Sequence, residues 1–286
     1  MDRNISFFNY SDLFLKHEKE LLDIFQSVGE KGAFIMQQEL SDFESNIADY
    51  TGAKFVLGVA NATDAIQLLL KAGGVGPGDE VIFCSHTMVA TASAIAFTGA
   101  TPVPVEVGSN HLIDPESIKG AITSKTKAII PTQLNGRIAN MDEILDIANE
   151  YNLQIYEDSA QALGAKYKGQ SAGTFGLGGC ISFYPAKTLG CLGDGGAVLT
   201  NDKDIYNKIK LMRDHGRGDD GNVSIWGFNS RLDNLQAAIL NFFFEDYDKT
   251  VKRRRYIADL YHKGLKDIDE LTLPPATNSN NNHFDI

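Results

Sequence analysis

Short apolar runs bounded by Gly, Pro, Asn and Asp predict strands over 55–60, 80–85, 101–107, 128–134, 154–159, 179–185 and 196–201. Between several of them the apolar positions return with helical spacing, which predicts helices over 64–72, 89–97, 115–122 and 141–151. Apolar strands joined by helical crossovers form a mostly parallel sheet with both faces covered, so the fold class is α/β. The last strands follow one another with less chain between them, and an antiparallel edge is expected there. Ligands of such sheets sit at the carboxyl ends of the strands.

After about residue 230 the pattern becomes one long helix or a helix pair over 232–265. Leu271-Thr272-Leu273-Pro274-Pro275 and an Asn-rich stretch over 278–282 follow, and residues 283–286 read as the opening of another strand. The expected division is a large α/β domain with an N-terminal helical arm over 1–245. A connecting helix and the incomplete start of a smaller C-terminal domain would occupy 246–286. No internal repeat is visible.

Composition narrows the function classes. The chain has 286 residues, 43% of them hydrophobic, enough for a core that needs no metal or disulfide staple. A formal charge of −11 without a basic stripe argues against a nucleic-acid partner. The run Lys252-Arg253-Arg254-Arg255 reads as a solvated helix face. Cys84, Cys180 and Cys191, odd in number and set in or beside apolar segments, read as buried thiols of a reducing compartment. No signal pattern or membrane-length apolar run is present, so a cytoplasmic protein is expected, with no membrane partner and no metal.

Three segments carry candidate chemistry. Ile155-Tyr156-Glu157-Asp158 ends an apolar strand on two acids. A desolvated Asp158 would need a positive or protonated partner, although a helix cap or surface pair is an equally simple reading of these residues alone. Lys187 follows a buried strand in a turn crowded with Gly190, Gly193, Gly195 and Gly196. Desolvation there would lower its pKa and expose the amine lone pair for imine chemistry; a lone lysine is otherwise a surface charge. The turn at Asn61-Ala62-Thr63-Asp64 leads from a strand into an apolar helix. It is an anion site by virtue of free N–H groups and the helix dipole, or a plain cap at Thr63 or Asp64. Lys187 is not in a Walker A loop, and Gly176-Leu177-Gly178-Gly179 does not open a helix as a dinucleotide fingerprint would.

These segments, in this order, resemble the DegT/DnrJ/EryC1/StrS family of pyridoxal-phosphate-dependent nucleotide-sugar aminotransferases. Ser85-His86-Thr87, Glu157-Asp158-Ser159-Ala160-Gln161, Ser182-Phe183-Tyr184-Pro185-Ala186-Lys187, Leu192-Gly193-Asp194-Gly195-Gly196-Ala197 and Gly227-Phe228-Asn229-Ser230-Arg231-Leu232-Asp233 extend the likeness over nearly the whole chain. The resemblance implies a fold-type I aminotransferase large domain. It makes Lys187 the Schiff-base lysine and proton shuttle, Asp158 the partner of the pyridine nitrogen, and Gln161 a hydrogen-bond partner of the ring 3-oxygen. Ser182 and the backbone at Ala62 and Thr63 would hold the phosphate. Asn229 would reach the phosphate of a neighbouring subunit, which implies a homodimer with shared sites. Glutamate would be the amino donor and a nucleoside-diphosphate keto-6-deoxy sugar the acceptor, for amino-sugar and polysaccharide biosynthesis. The 189–196 stretch favours 3-keto over 4-keto sugars, dTDP-linked among them.

The sequence departs from the family at several points. Met88 stands where an aromatic residue commonly stacks on the cofactor ring, with His86 an alternative stacker. Asn135 replaces a common aromatic residue, which alters the substrate contacts implied for it and for His86. Relatives continue into a fuller C-terminal domain, so a truncated, non-catalytic chain with an interaction role is the alternative. Sugar dehydratases of the same fold carry histidine in place of the lysine, and Lys187 argues against that activity.

Overall fold

The computed structural model describes residues 8–274. Three helices lead the chain: α1 (Tyr10–Leu15), α2 (Glu18–Lys31) and α3 (Gln38–Thr51). An alternating series follows: β1 (Phe55–Val59), α4 (Ala62–Ala72), β2 (Glu80–Cys84), α5 (Val89–Ala96), β3 (Thr101–Val105), α6 (Pro115–Ala121), β4 (Thr126–Ile130), α7 (Met141–Tyr151) and β5 (Gln154–Asp158). A small hairpin, β6 (Lys166–Tyr167) and β7 (Gln170–Ser171), precedes β8 (Gly178–Ser182) and β9 (Gly196–Thr200). The helices α8 (Lys203–Met212), α9 (Asn234–Phe244) and α10 (Tyr247–Leu265) complete the series. All seven strands and four helices expected from the apolar pattern are present, and 232–265 is a helix pair. The hairpin and α8 were not expected. The Asn-rich stretch and the strand expected at 283–286 lie outside the described residues.

The seven strands form one sheet in the order β1-β9-β8-β5-β4-β2-β3. Every pairing is parallel except the two made by β9. Both antiparallel pairings therefore lie at one edge of the sheet, as expected, with β9 one strand in from β1. The reason is the connection. Residues 183–195 contain no helix, and a parallel return would need a crossover, so β9 runs back beside β8. The connection is thereby held at the carboxyl end of β8, where ligands of α/β sheets bind.

Period-two alternation decides which helices each strand faces. Val81, Phe83, Ala128, Ile130, Tyr156, Cys180 and Val198 pack with α4, α5 and α8. On the other side Ile82, Cys84, Ile129 and Ile155 meet α6 and α7, while Ile181, Ala197 and Leu199 meet α3 and α9. Helix α4 buries Ile66, Leu68, Leu69 and Leu70 completely, at about 1.5–3 kcal/mol each, so its start is anchored at the strand tips. All three cysteines are free and buried. On α10, Lys252, Arg253 and Arg254 face solvent as expected, but Arg255 turns inward and donates to the Gly164 carbonyl at 3.1 Å. No described helix is long and apolar enough to cross a membrane.

Candidate active site

The carboxyl ends of the parallel strands and the start of α4 enclose a cleft of about 280 Å³. Asn61, Ala62, Thr63, Thr87, Met88, Thr132, Asp158, Gln161, Ser182, Tyr184, Lys187 and Asp194 line it. Parity explains the choice between the two acids that end β5. Asp158 points to the α4/α5 face, in line with Cys180 and Ser182 two residues apart on the neighbouring strand. Glu157 points to the opposite face and is fully buried there, accepting from Gln133 Nε2 at 2.7 Å and from the Phe175 N–H at 2.7 Å. Burial raises the Glu157 carboxyl to about 7, against the pull of those donors.

Asp158 is 5% exposed. Its Oδ2 accepts from Thr91 Oγ1 at 2.6 Å, and its Oδ1 from the Ala160 N–H at 3.2 Å. Lys187 is half-buried in the loop that follows β8, and among the described residues its amine makes no salt bridge. Burial lowers its pKa below an ordinary lysine's, while the charge of Asp158 opposes the shift. The loop turns back tightly because Gly190 lies against Pro185: an added Cβ would come within 2.6 Å of the Pro185 carbonyl oxygen. Gln161 Oε1 accepts from the Asn135 N–H at 2.9 Å, which leaves the amide Nε2 as the free donor. Asn135 adopts the left-handed conformation, φ 55°, that aims its N–H this way.

Helix α4 begins at Ala62, two residues earlier than expected from the sequence, and its cap is Asn61 in place of Thr63 or Asp64. Its side chain accepts from the Asp64 N–H at 2.8 Å and its carbonyl from Ala65. The N–H groups of Ala62 and Thr63 have no acceptor one turn back inside the helix. Gly196 lets β9 approach this turn, since a Cβ there would meet the Asn61 carbonyl carbon at 2.5 Å and the Ala62 nitrogen at 2.7 Å. Ser182 stands opposite at the tip of β8, its hydroxyl proton not engaged by the Tyr184 N–H it accepts at 3.3 Å.

The fold thus gathers Ala62, Thr63, Met88, Asp158, Gln161, Ser182 and Lys187 on one cleft. Met88 lies at its mouth, mostly exposed, with the sulfur accepting from the Ala90 N–H at 3.1 Å. Three other expected residues do not line it. His86 turns its ring to the His111 carbonyl at 3.2 Å. Asn135 contributes its backbone N–H rather than its side chain. Asn229 is exposed, bridged to Asp214. The sequence by itself gives no role to Thr87, Thr91, Thr132, Tyr184 or Asp194. Thr87, Tyr184 and Asp194 lie inside motifs, but nothing local marks Thr91 or Thr132.

The donor set fits pyridoxal phosphate. A doubly charged phosphate suits two free N–H groups at a helix start beside a serine hydroxyl. A buried carboxylate suits a protonated ring nitrogen, an amide donor a ring oxygen, and a desolvated amine an aldehyde. Among the described residues no group of His, Cys, Asp and Glu could hold a metal ion.

Known proteins of this architecture agree with that chemistry. A model described as the DegT/DnrJ/EryC1/StrS aminotransferase family matches residues 16–285. The UDP-2-acetamido-2-deoxy-3-oxo-D-glucuronate aminotransferase of Pseudomonas aeruginosa is 42% identical over 244 residues, 85% of this chain and 68% of that protein. The crystal structure of S. venezuelae DesV superposes with a TM-score of 0.92 at 37% identity, covering 97% of this chain and 75% of DesV. Bacillus subtilis NtdA, solved with bound PMP, gives a TM-score of 0.90 at 30% identity, over 99% of this chain and 66% of NtdA. The chain spans about two thirds to three quarters of these proteins' length.

Proposed function

The chain belongs to the DegT/DnrJ/EryC1/StrS aminotransferase family, and on that premise we propose that it transfers an amino group to a nucleoside-diphosphate keto sugar. The cofactor is pyridoxal 5′-phosphate, and a 3-keto sugar is favoured because the Pseudomonas relative acts on a 3-oxo sugar. Glutamate is the proposed amino donor, and the product feeds amino-sugar and polysaccharide assembly. The observation that carries the reading is the half-buried, depressed Lys187 amine on the same cleft as buried Asp158 and the open α4 start.

When bound, the cofactor supplies an aldehyde and an electron-withdrawing ring. The N–H groups of Ala62 and Thr63 and the Ser182 hydroxyl would bind its phosphate. The Asp158 carboxylate would hold a proton on the ring nitrogen, Gln161 Nε2 would donate to the ring oxygen, and Met88 at the cleft mouth would cover the ring. Lys187 Nζ, neutral at lower pH than a free lysine, would be the amine that holds the aldehyde and, when released, the base that holds and returns a proton.

Asn229, exposed and off its own chain's cleft, is proposed to serve the phosphate of a second copy, making a homodimer with shared sites. The chain is assigned to the cytoplasm, whose reducing conditions suit three free buried thiols.

Borohydride reduction of the cofactor-loaded protein tests the core of this reading. Wild type should retain cofactor covalently and lose its visible absorbance on adding glutamate, and Lys187→Ala should trap none. A folded wild type that traps no cofactor removes the proposal and favours a non-catalytic chain.

A further inference from the structure

Behind Asp158 lies a string of hydroxyls. Thr132 Oγ1 donates to Thr87 Oγ1 at 3.0 Å, Thr87 Oγ1 meets Thr91 Oγ1 at 2.8 Å, and Thr91 Oγ1 donates to Asp158 Oδ2 at 2.6 Å. The four residues come from adjacent strand tips and one helix: Thr87 follows β2, Thr132 follows β4, Asp158 ends β5, and Thr91 lies in the first turn of α5. Thr91 is completely buried and Thr132 nearly so, while Thr87 and Thr132 form part of the cleft wall.

The direction of this string follows from proton counting. An ionised carboxylate only accepts, so Thr91 must spend its single hydroxyl proton on Oδ2. Thr91 can then only accept from Thr87, and Thr87 only from Thr132. Each link polarises the next, which strengthens the terminal bond to the carboxylate. The groups facing the other oxygen are the Ala160 N–H and, at 3.5 Å, the Cys180 thiol, which burial keeps protonated. The charge of Asp158 is also felt at the Lys187 amine. Oδ2 therefore has one neutral hydroxyl donor from the protein, and its remaining lone pair is free for a ring nitrogen.

We infer that Thr91, backed by Thr87 and Thr132, is a positioning residue that aims Asp158 at the cofactor ring and sets how strongly the ring nitrogen holds its proton. The inference rests on the proposed cofactor. Thr91 touches neither cofactor nor substrate; it acts through Asp158.

The test compares wild type, Thr91→Val, Thr91→Ser and Thr87→Val by cofactor dissociation constant and by the pH midpoint of the visible band of the lysine-bound cofactor. Thr91→Val keeps the shape and removes the donor to a charged group. Its cofactor should bind on the order of tenfold more weakly and its pH midpoint should move, with Thr91→Ser restoring both. Thr87→Val, which breaks the string one link earlier, should shift the same quantities less. Borohydride trapping on Lys187 should persist in all four. Unchanged affinity and midpoint in both valine variants overturn the inference while leaving the proposed function intact. A midpoint that moves in Thr91→Val but is not restored by serine reduces Thr91 to packing and overturns it as well. If Thr91→Val does not fold, Thr87→Val decides alone. Absence of trapping in wild type removes the proposed function and, with it, this inference.

Discussion

The chemistry of a single amine depends on what surrounds it. Lys187 sits in a tight loop that removes water from part of its side chain, and the ammonium form loses more by this than the neutral form. Asp158 limits the shift without pairing directly with the amine, so the lone pair remains usable. Cofactor capture by the empty protein should therefore rise with pH through a midpoint below that of an ordinary lysine. Stopped-flow absorbance over a series of pH values, compared with a free-lysine amine, would check this. A midpoint at or above the ordinary value would mean that the amine is not desolvated. The same scale explains the division of labour between adjacent acids: Glu157 and Asp158 differ by one residue and so by one face of the sheet.

At the scale of elements, β5 ties together two kinds of neighbour. On one face it presents Asp158 to α5; on the other, Glu157 anchors Gln133 after β4 and the turn at Phe175 before β8. Burial holds the folded carboxyl at about 7, above its usual value near 4.5, so the folded chain keeps a proton that the unfolded chain has released between these values. The contribution of Glu157 to stability is thus fully present below the unfolded value and is lost as pH rises through about 7. Glu157→Gln removes this titration. Measured by urea unfolding at pH 5 and pH 7.5, wild type should lose more stability than the variant between the two, by an amount on the order of 2–3 kcal/mol. Equal losses would show that Glu157 titrates normally. Strand positions and the start of α4 were legible in the apolar runs, to within a few residues. The cap at Asn61 was not, because Asn, Thr and Asp in succession all suit a cap and only the chain's approach from β1 selects one.

At the scale of the whole molecule, Asn229 is exposed and does not line the cleft of its own chain. Trp226 beside it is 96% exposed, with Val223 also largely exposed. Large apolar side chains displayed together in this way suit a protein–protein contact. If Asn229 completes the site of a second copy, Lys187→Ala and Asn229→Ala chains should complement each other. Each variant alone should be inactive or nearly so, and an equal mixture reassembled into dimers should recover about a quarter of wild-type activity, because half the dimers are hybrid and each has one intact site. Size-exclusion chromatography with light scattering would establish the dimer independently. No recovery in verified hybrids would place Asn229 outside the shared site.

The sequence alone determined the elements and much of the chemistry. A run of Val, Ile and Leu bounded by turn residues is a local signal, and so is an acid or a lysine closing such a run. It could not determine that β9 lies inside β1, or that threonines 87, 91 and 132 stand in one line behind Asp158. Those facts depend on which strands become neighbours, and strand order is settled by packing two faces of one sheet against helices far apart in the chain. His86 and Asn229 illustrate the same limit. Each stands in a motif, yet neither lines the cleft: the His86 ring meets the His111 carbonyl, and the backbone at Asn229 pairs with Asp214.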